Sequence, residues 1–139
     1  SNKYPIVLIK DNRSLMSTTK PTATDEQKSQ VLQQEYNRYQ ELIAELDSQL
    51  NTISSQLQEH LIVDQSLTSI APEKREGRKC FKMIGGVLVE KSIDEVIKIL
   101  NDEITQLKTE REKLNKELTE NRKKLESWIT TNKIKIVKG

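Results

Sequence analysis

CFKMIGGVLVEKS, Cys80 to Ser92, is where this 139-residue chain gathers Val, Ile and Phe about a glycine pair, between flanks rich in Gln, Glu, Lys and Leu. Two short runs, Arg78 to Ile84 and Val87 to Lys91, surround Gly85-Gly86. Primed turns need positive φ, so this pattern predicts a β-hairpin and not a phosphate loop. A lone two-stranded hairpin is marginal in water. Here both faces carry apolar side chains, with Cys80, Ile84, Val87 and Val89 alternating with Phe81, Met83 and Leu88. A thin helical scaffold cannot cover both. The faces and the two edges are therefore expected to be completed by other chains, most simply in a shared sheet or barrel. These residues, with the two glycines, are the candidate assembly site.

On both sides the sequence reads as helix. Apolar residues step by four and then three along Leu32, Tyr36, Tyr39, Ile43, Leu46, Leu50, Ile53 and Leu57, with His60 next and Asp64 breaking the stripe. The second stripe runs Ile93, Ile97, Leu100, Ile104, Leu107, Arg111, Leu114, Leu118, Asn121, Leu125 and Trp128. This alternation is that of a coiled-coil seam. Polar Arg111 and Asn121 suit register control, a binding role for either being the competing reading. Ser92 reads as an N-cap, with Glu95 completing a capping box. Two seams joined by a short middle segment predict a mostly α fold, an antiparallel two-helix coiled coil, because a local hairpin closes with less entropy loss than pairing with a second chain. The expected boundaries are helix 25–69, β-hairpin 78–91, helix 92–131 and tail 132–139. Pro72 is expected to end the first helix, and residues 73–77 to form a charged loop.

Composition excludes a large compact core. Only 34% of residues are apolar and 32% are charged, so narrow seams and partner contacts must do the burying. A net charge of +2 favours neither nucleic acid nor membrane. Charge is uneven, however, with eight acidic and two basic residues over 25–68 and six basic and three acidic over 69–91. A single cysteine rules out an internal disulfide framework and fits a reducing compartment, cytoplasmic or nuclear. Residues 1–24 read as a flexible extension. Lys3 to Lys10 (KYPIVLIK) is strand-like, with no second strand in its neighbourhood. Met16 followed by Ser17-Thr18-Thr19 resembles a natural start, so residues 1–15 are expected to be foreign to the domain.

The run Arg78-Lys79-Cys80-Phe81-Lys82-Met83-Ile84-Gly85-Gly86-Val87-Leu88-Val89-Glu90 closely resembles the hairpin of the β-class prefoldins. Glu59-His60 with Val63 and Leu67 before it, and Trp128 with Asn132-Lys133-Ile134 after it, extend the likeness over roughly residues 26–138, within an expected domain of 25–138. The loop Ser69 to Gly77 is slightly longer than the family's connection, and residues 1–24 have no family counterpart. The resemblance implies a heterohexamer of two α-class and four β-class subunits, whose hairpins form a double β-barrel platform carrying six coiled coils. It also implies an ATP-independent chaperone that passes unfolded actin and tubulin to the cytosolic chaperonin.

If the helices fold back on each other, Trp128 falls level with Leu32 and both chain ends share one tip. Leu32, Tyr36, Tyr39, Leu125, Trp128, Ile134, Ile136 and Val137 are then the candidate client-binding residues, seam closure being the alternative for each. Weak apolar contacts from several tips add through avidity. No catalytic constellation, metal-ligand spacing or cofactor motif accompanies them, so the chain is read as a binding protein and not an enzyme, with partners other than nucleic acid or membrane. His60 is expected to be a packed seam residue and Cys80 a small buried hydrophobe. A tethering coiled coil is the alternative function; a nucleic-acid module on Lys74 to Lys82 is disfavoured by its single aromatic, Phe81.

Overall fold

The computed structural model describes residues 6–8 and 23–136. Their elements are β1 (Ile6–Leu8), α1 (Ala23–Thr68), α2 (Pro72–Arg75), β2 (Lys79–Ile84), β3 (Val87–Ser92), α3 (Ile93–Thr131) and β4 (Ile134–Ile136). The two long helices and the single β2–β3 hairpin are those the heptad stripes and the glycine pair predict, with hairpin bounds shifted by one residue. The chain forms two compact units: a hairpin unit, Gln49–Leu114, and a terminal unit, Ser1–Ser48 with Asn115–Gly139.

In the hairpin unit, Ile53, Leu57, Ile93, Ile104 and Leu114 are buried. All five lie on the predicted stripes, since residues three and four apart share one helix face. β2 and β3 are antiparallel from Lys79↔Ser92 to Ile84↔Val87. Gly85 and Gly86 have φ of +56° and +81°, the pair of positive values that a two-residue primed turn requires. The Glu95 amide donates to Ser92 Oγ at 3.1 Å, so Ser92 caps α3.

Two boundaries differ from expectation. α1 ends at Thr68, and Pro72 starts a short helix instead of stopping a long one, a place that suits its missing N–H. The charged loop is also more ordered than its composition suggests. Arg75 sends Nε to the Ile70 carbonyl at 2.7 Å and an Nη to the Thr68 carbonyl at 3.0 Å. It therefore caps the carbonyl end of α1, while its other Nη lies 3.3 Å from Asp94 at the start of α3.

In the terminal unit, Tyr36, Ile43, Leu46, Leu118, Leu125 and Ile134 are buried. The pairs Glu35–Trp128 and Asp47–Arg122 set the two helix segments antiparallel. After α3 the chain turns through Lys133, a non-glycine residue at φ +50°. Asn132 steadies the turn by donating from Nδ2 to the Trp128 carbonyl at 2.9 Å.

The expectation for the N-terminal stretch is corrected here. Ile6–Leu8 does have a partner strand, pairing antiparallel with Ile134–Ile136. That part of the extension is therefore not strandless. Sequence inspection missed the pairing because the two strands lie at opposite ends of the chain.

Candidate functional site: an uncovered hairpin and an aromatic tip

The register of the hairpin decides which side chains share a face, since cross-strand partners point the same way. Cys80, Lys82 and Ile84 face the same side as Lys91, Val89 and Val87. Of these, Cys80, Lys82, Val89 and Lys91 are half-buried against the helices, while Ile84 and Val87 at the turn end are exposed. The opposite face carries Phe81, Met83 and Leu88, exposed by 63%, 65% and 59%. Lys79 and Glu90 flank them as an ion pair at 2.8 Å, in which the carboxylate raises the lysine pKa. Contiguous exposed apolar surface of this kind commonly marks an interaction site.

One polar knot fastens the hairpin to both helices. Glu103 on α3 receives His60 Nε2 of α1 at 2.7 Å on one carboxylate oxygen and Lys82 Nζ of β2 at 3.3 Å on the other. His60 Nδ1 lies 2.8 Å from the Gln56 carbonyl, so both ring nitrogens face oxygen acceptors. The hydrogen bond from His60 is the main reason the Glu103 carboxyl titrates below its ordinary value. Lys82 adds to that effect and partial burial opposes it. Cys80 borders a shallow cleft with His60, Lys82, Val96, Ile99, Leu100 and Glu103. It is half-buried, not fully buried as expected.

Reading the stripes alone undervalued the end of α1. Leu61, Ile62 and Val63 are all substantially exposed, by 43%, 57% and 45%. Three consecutive helical residues spread over about 200° and cannot all meet one seam. Their consecutive placement was the available signal, and Ile62 was the residue overlooked.

In the terminal unit the predicted tip residues divide by exposure. Tyr36, Leu125 and Ile134 are buried and close the seam. Leu32, Tyr39 and Trp128 are half-buried, and Ile136 is exposed. Val137 lies outside the described residues. Trp128 stacks on Tyr36 with ring centroids 5.9 Å apart and meets Tyr39 at 5.8 Å. Its indole N–H donates to Glu35 at 2.8 Å, which fixes the ring. Trp128 and Tyr39 border two neighbouring open clefts, rimmed by Arg38, Lys123 and Lys124.

Among the described residues, no group of three or more His, Cys, Asp or Glu side chains is placed to hold a metal ion, and no helix is long and apolar enough to cross a membrane. The sequence profile of the prefoldin subunit family matches residues 30–139. Over 114 residues the chain is 33% identical to prefoldin subunit 2 of Saccharomyces cerevisiae, covering 82% of this chain and 99% of that one. It is 29% identical to prefoldin subunit 2 of Homo sapiens over 102 residues, 73% of this chain and 64% of the human one. For prefoldin subunit 2 of Arabidopsis thaliana the identity is 33% over 96 residues, 69% and 62% of the two chains. With the coiled coil and hairpin in place, this extent of match means that the chain belongs to the prefoldin subunit family, as a chaperone subunit similar to prefoldin subunit 2.

Proposed function

We propose that the chain is one subunit of a heterohexameric, ATP-independent chaperone that captures unfolded proteins, actin and tubulin among them, and hands them to the cytosolic chaperonin. In this reading its partners are two α-class and three further β-class prefoldin subunits, and it works in the cytoplasm, with the nucleus as a second compartment. The observation that carries the proposal is the uncovered face of Phe81, Met83 and Leu88 beside exposed Ile84 and Val87. Strand edges and an apolar face on one short hairpin suit completion by neighbouring hairpins. Client contact is assigned to the accessible part of the terminal unit, Leu32, Tyr39 and Trp128, which border open clefts, and the exposed Ile136. Tyr36, Leu125 and Ile134 support these groups from beneath.

The deciding experiment replaces Val87 and Val89 with Asp and measures co-purification with the other prefoldin subunits. Assembly is expected to be lost while far-UV circular dichroism keeps most of its helical signal. Stoichiometric co-purification of the double variant would overturn the assembly reading and return the chain to the class of tethering coiled coils.

A further inference from the structure

The Ile6 amide donates to Gln33 Oε1 at 2.9 Å, although Ile6 is paired in register with Ile136 of β4. Antiparallel ladders alternate between residues that exchange hydrogen bonds with their partner and residues whose polar groups point outward. An Ile6 amide spent on Gln33 is an outward one. Val7↔Lys135, the next pair in the register, is therefore the pair that exchanges N–H···O=C bonds. One side of β1 is held by the β4 backbone and the other by a side-chain amide.

That amide is itself held in place. Gln33 is only 8% exposed, the sole buried polar residue among those described. Its Nε2 donates to Asn37 Oδ1 at 2.9 Å, one helical turn on, which leaves Oε1 aimed at the strand. Burying an amide is costly unless its polar atoms are used, and here one is used on a main-chain N–H. Neither Gln33 nor the β4 ladder reads a side chain. Together they recognise extended backbone. On β4 the order Ile134-Lys135-Ile136 sets apolar residues opposite Leu8 and Ile6 and a lysine opposite Val7. The family match begins at residue 30, so the receptor (Gln33, Asn37 and β4) lies within the family domain and the occupant β1 lies outside it.

We propose that the β4 edge and the Gln33 amide form a strand-docking site for extended segments of non-native polypeptide with apolar residues at alternate positions, and that Ile6–Leu8 fills this site in cis as a built-in competitor. The inference rests on the client-capture reading and specifies how a client is held. Backbone recognition suits a ligand class without a shared sequence. A three-residue strand gives few hydrogen bonds, so the tethered occupant holds the site through its high local concentration and yields to a longer extended segment.

The test uses the chain assembled with its partner prefoldin subunits. Val7→Pro removes the central N–H of β1, and deletion of residues 1–22 serves as a second variant that empties the site without a new side chain. The probe is a fluorescent peptide of sequence KYPIVLIK added in trans. Both variants should speed amide exchange at Lys135 and tighten peptide binding by about tenfold, because the competing occupant is gone. Gln33→Ala in the deletion background should reverse much of that gain. Faster exchange without tighter peptide binding would overturn the docking site, leaving β1 as a structural strand. Unchanged exchange in both variants would overturn the cis occupancy. Suppression of chemically unfolded actin aggregation separates the two levels of failure. Wild-type suppression without peptide binding sinks this inference alone, whereas no suppression by any assembled form sinks the client-capture reading beneath it.

Discussion

The hairpin unit and the terminal unit draw on the same amino acids and treat them in opposite ways. In the terminal unit the chain's own residues cover one ring fully and two in part, Tyr36 being buried and Tyr39 and Trp128 half-buried. Tyr36 is 2% exposed, Trp128 lies across it, and Glu35 accepts a hydrogen bond from the indole N–H. In the hairpin unit Phe81, Met83, Val87 and Leu88 are each about three-fifths exposed, and Lys82 ties the hairpin to the helices through Glu103. Burying such side chains stabilises by about 1.5–3 kcal/mol each. The terminal unit collects that free energy on folding. The hairpin unit leaves it uncollected within this chain. A coiled coil can close over a few aromatics along its seam, but it has no second layer with which to cover a sheet that is apolar on both sides.

The sharpest way to break this contrast is to truncate one ring in each unit. Tyr36→Ala is expected to destabilise the isolated chain by about 3 kcal/mol in chemical unfolding, as removal of a buried ring does. Phe81→Ala should leave that stability nearly unchanged and weaken assembly with partner subunits, read by analytical ultracentrifugation. Equal destabilisation by the two variants would mean that the hairpin face is covered within the isolated chain.

A smaller effect sharpens the contrast through pH. The folded-state pKa of Glu103 is depressed, chiefly by its hydrogen bond to His60. A depressed carboxyl contributes stability at neutral pH that is lost as pH falls from its ordinary value, 4.5, through the lower folded-state value. Because the Glu103 side chain is 39% exposed, solvent screening limits this contribution to a few tenths of a kcal/mol. Amide exchange in β2 should therefore accelerate below that pH more than exchange in α3 beside Trp128. Glu103→Gln should remove the difference, and acid sensitivity of equal size in both units would contradict the assignment.

The smallest expected change lies in the turn leading to β4. Lys133 sits in the left-handed region, where a side chain costs about 1 kcal/mol relative to glycine, partly offset by the greater freedom of glycine in the unfolded chain. Lys133→Gly should raise stability by about 0.5 kcal/mol, detected as a later midpoint in urea unfolding. A loss of stability would mean that the lysine side chain contributes contacts that outweigh the strain.

What the sequence determined by itself is local. The heptad stripes named the buried apolar residues of both helices, because i+3 and i+4 spacing puts them on one face whatever they pack against. Gly85-Gly86 specified the turn, since few other residues take positive φ without strain. Ser92 specified the start of α3 through a hydrogen bond three residues long. The hairpin's surplus of apolar surface was also legible, because alternation on a strand divides side chains between two faces before any tertiary contact forms.

Tertiary structure decided the rest, wherever a residue's role depends on a partner remote in the chain. Arg75 looked like one more charge in a polar loop until its guanidinium met the carbonyls of Thr68 and Ile70 at the end of α1. Nothing in the sequence ties Glu103 to Lys82, and only the docking of β2 beside His60 makes them a knot. Gln33 falls off the stripe, yet it is buried and accepts the Ile6 amide. Ile134, expected at an intermittently exposed tip, is buried in the strand that pairs with β1. Each of these contacts joins polar or backbone groups, which carry no periodic signal, and each forms only after the seams have brought distant segments together.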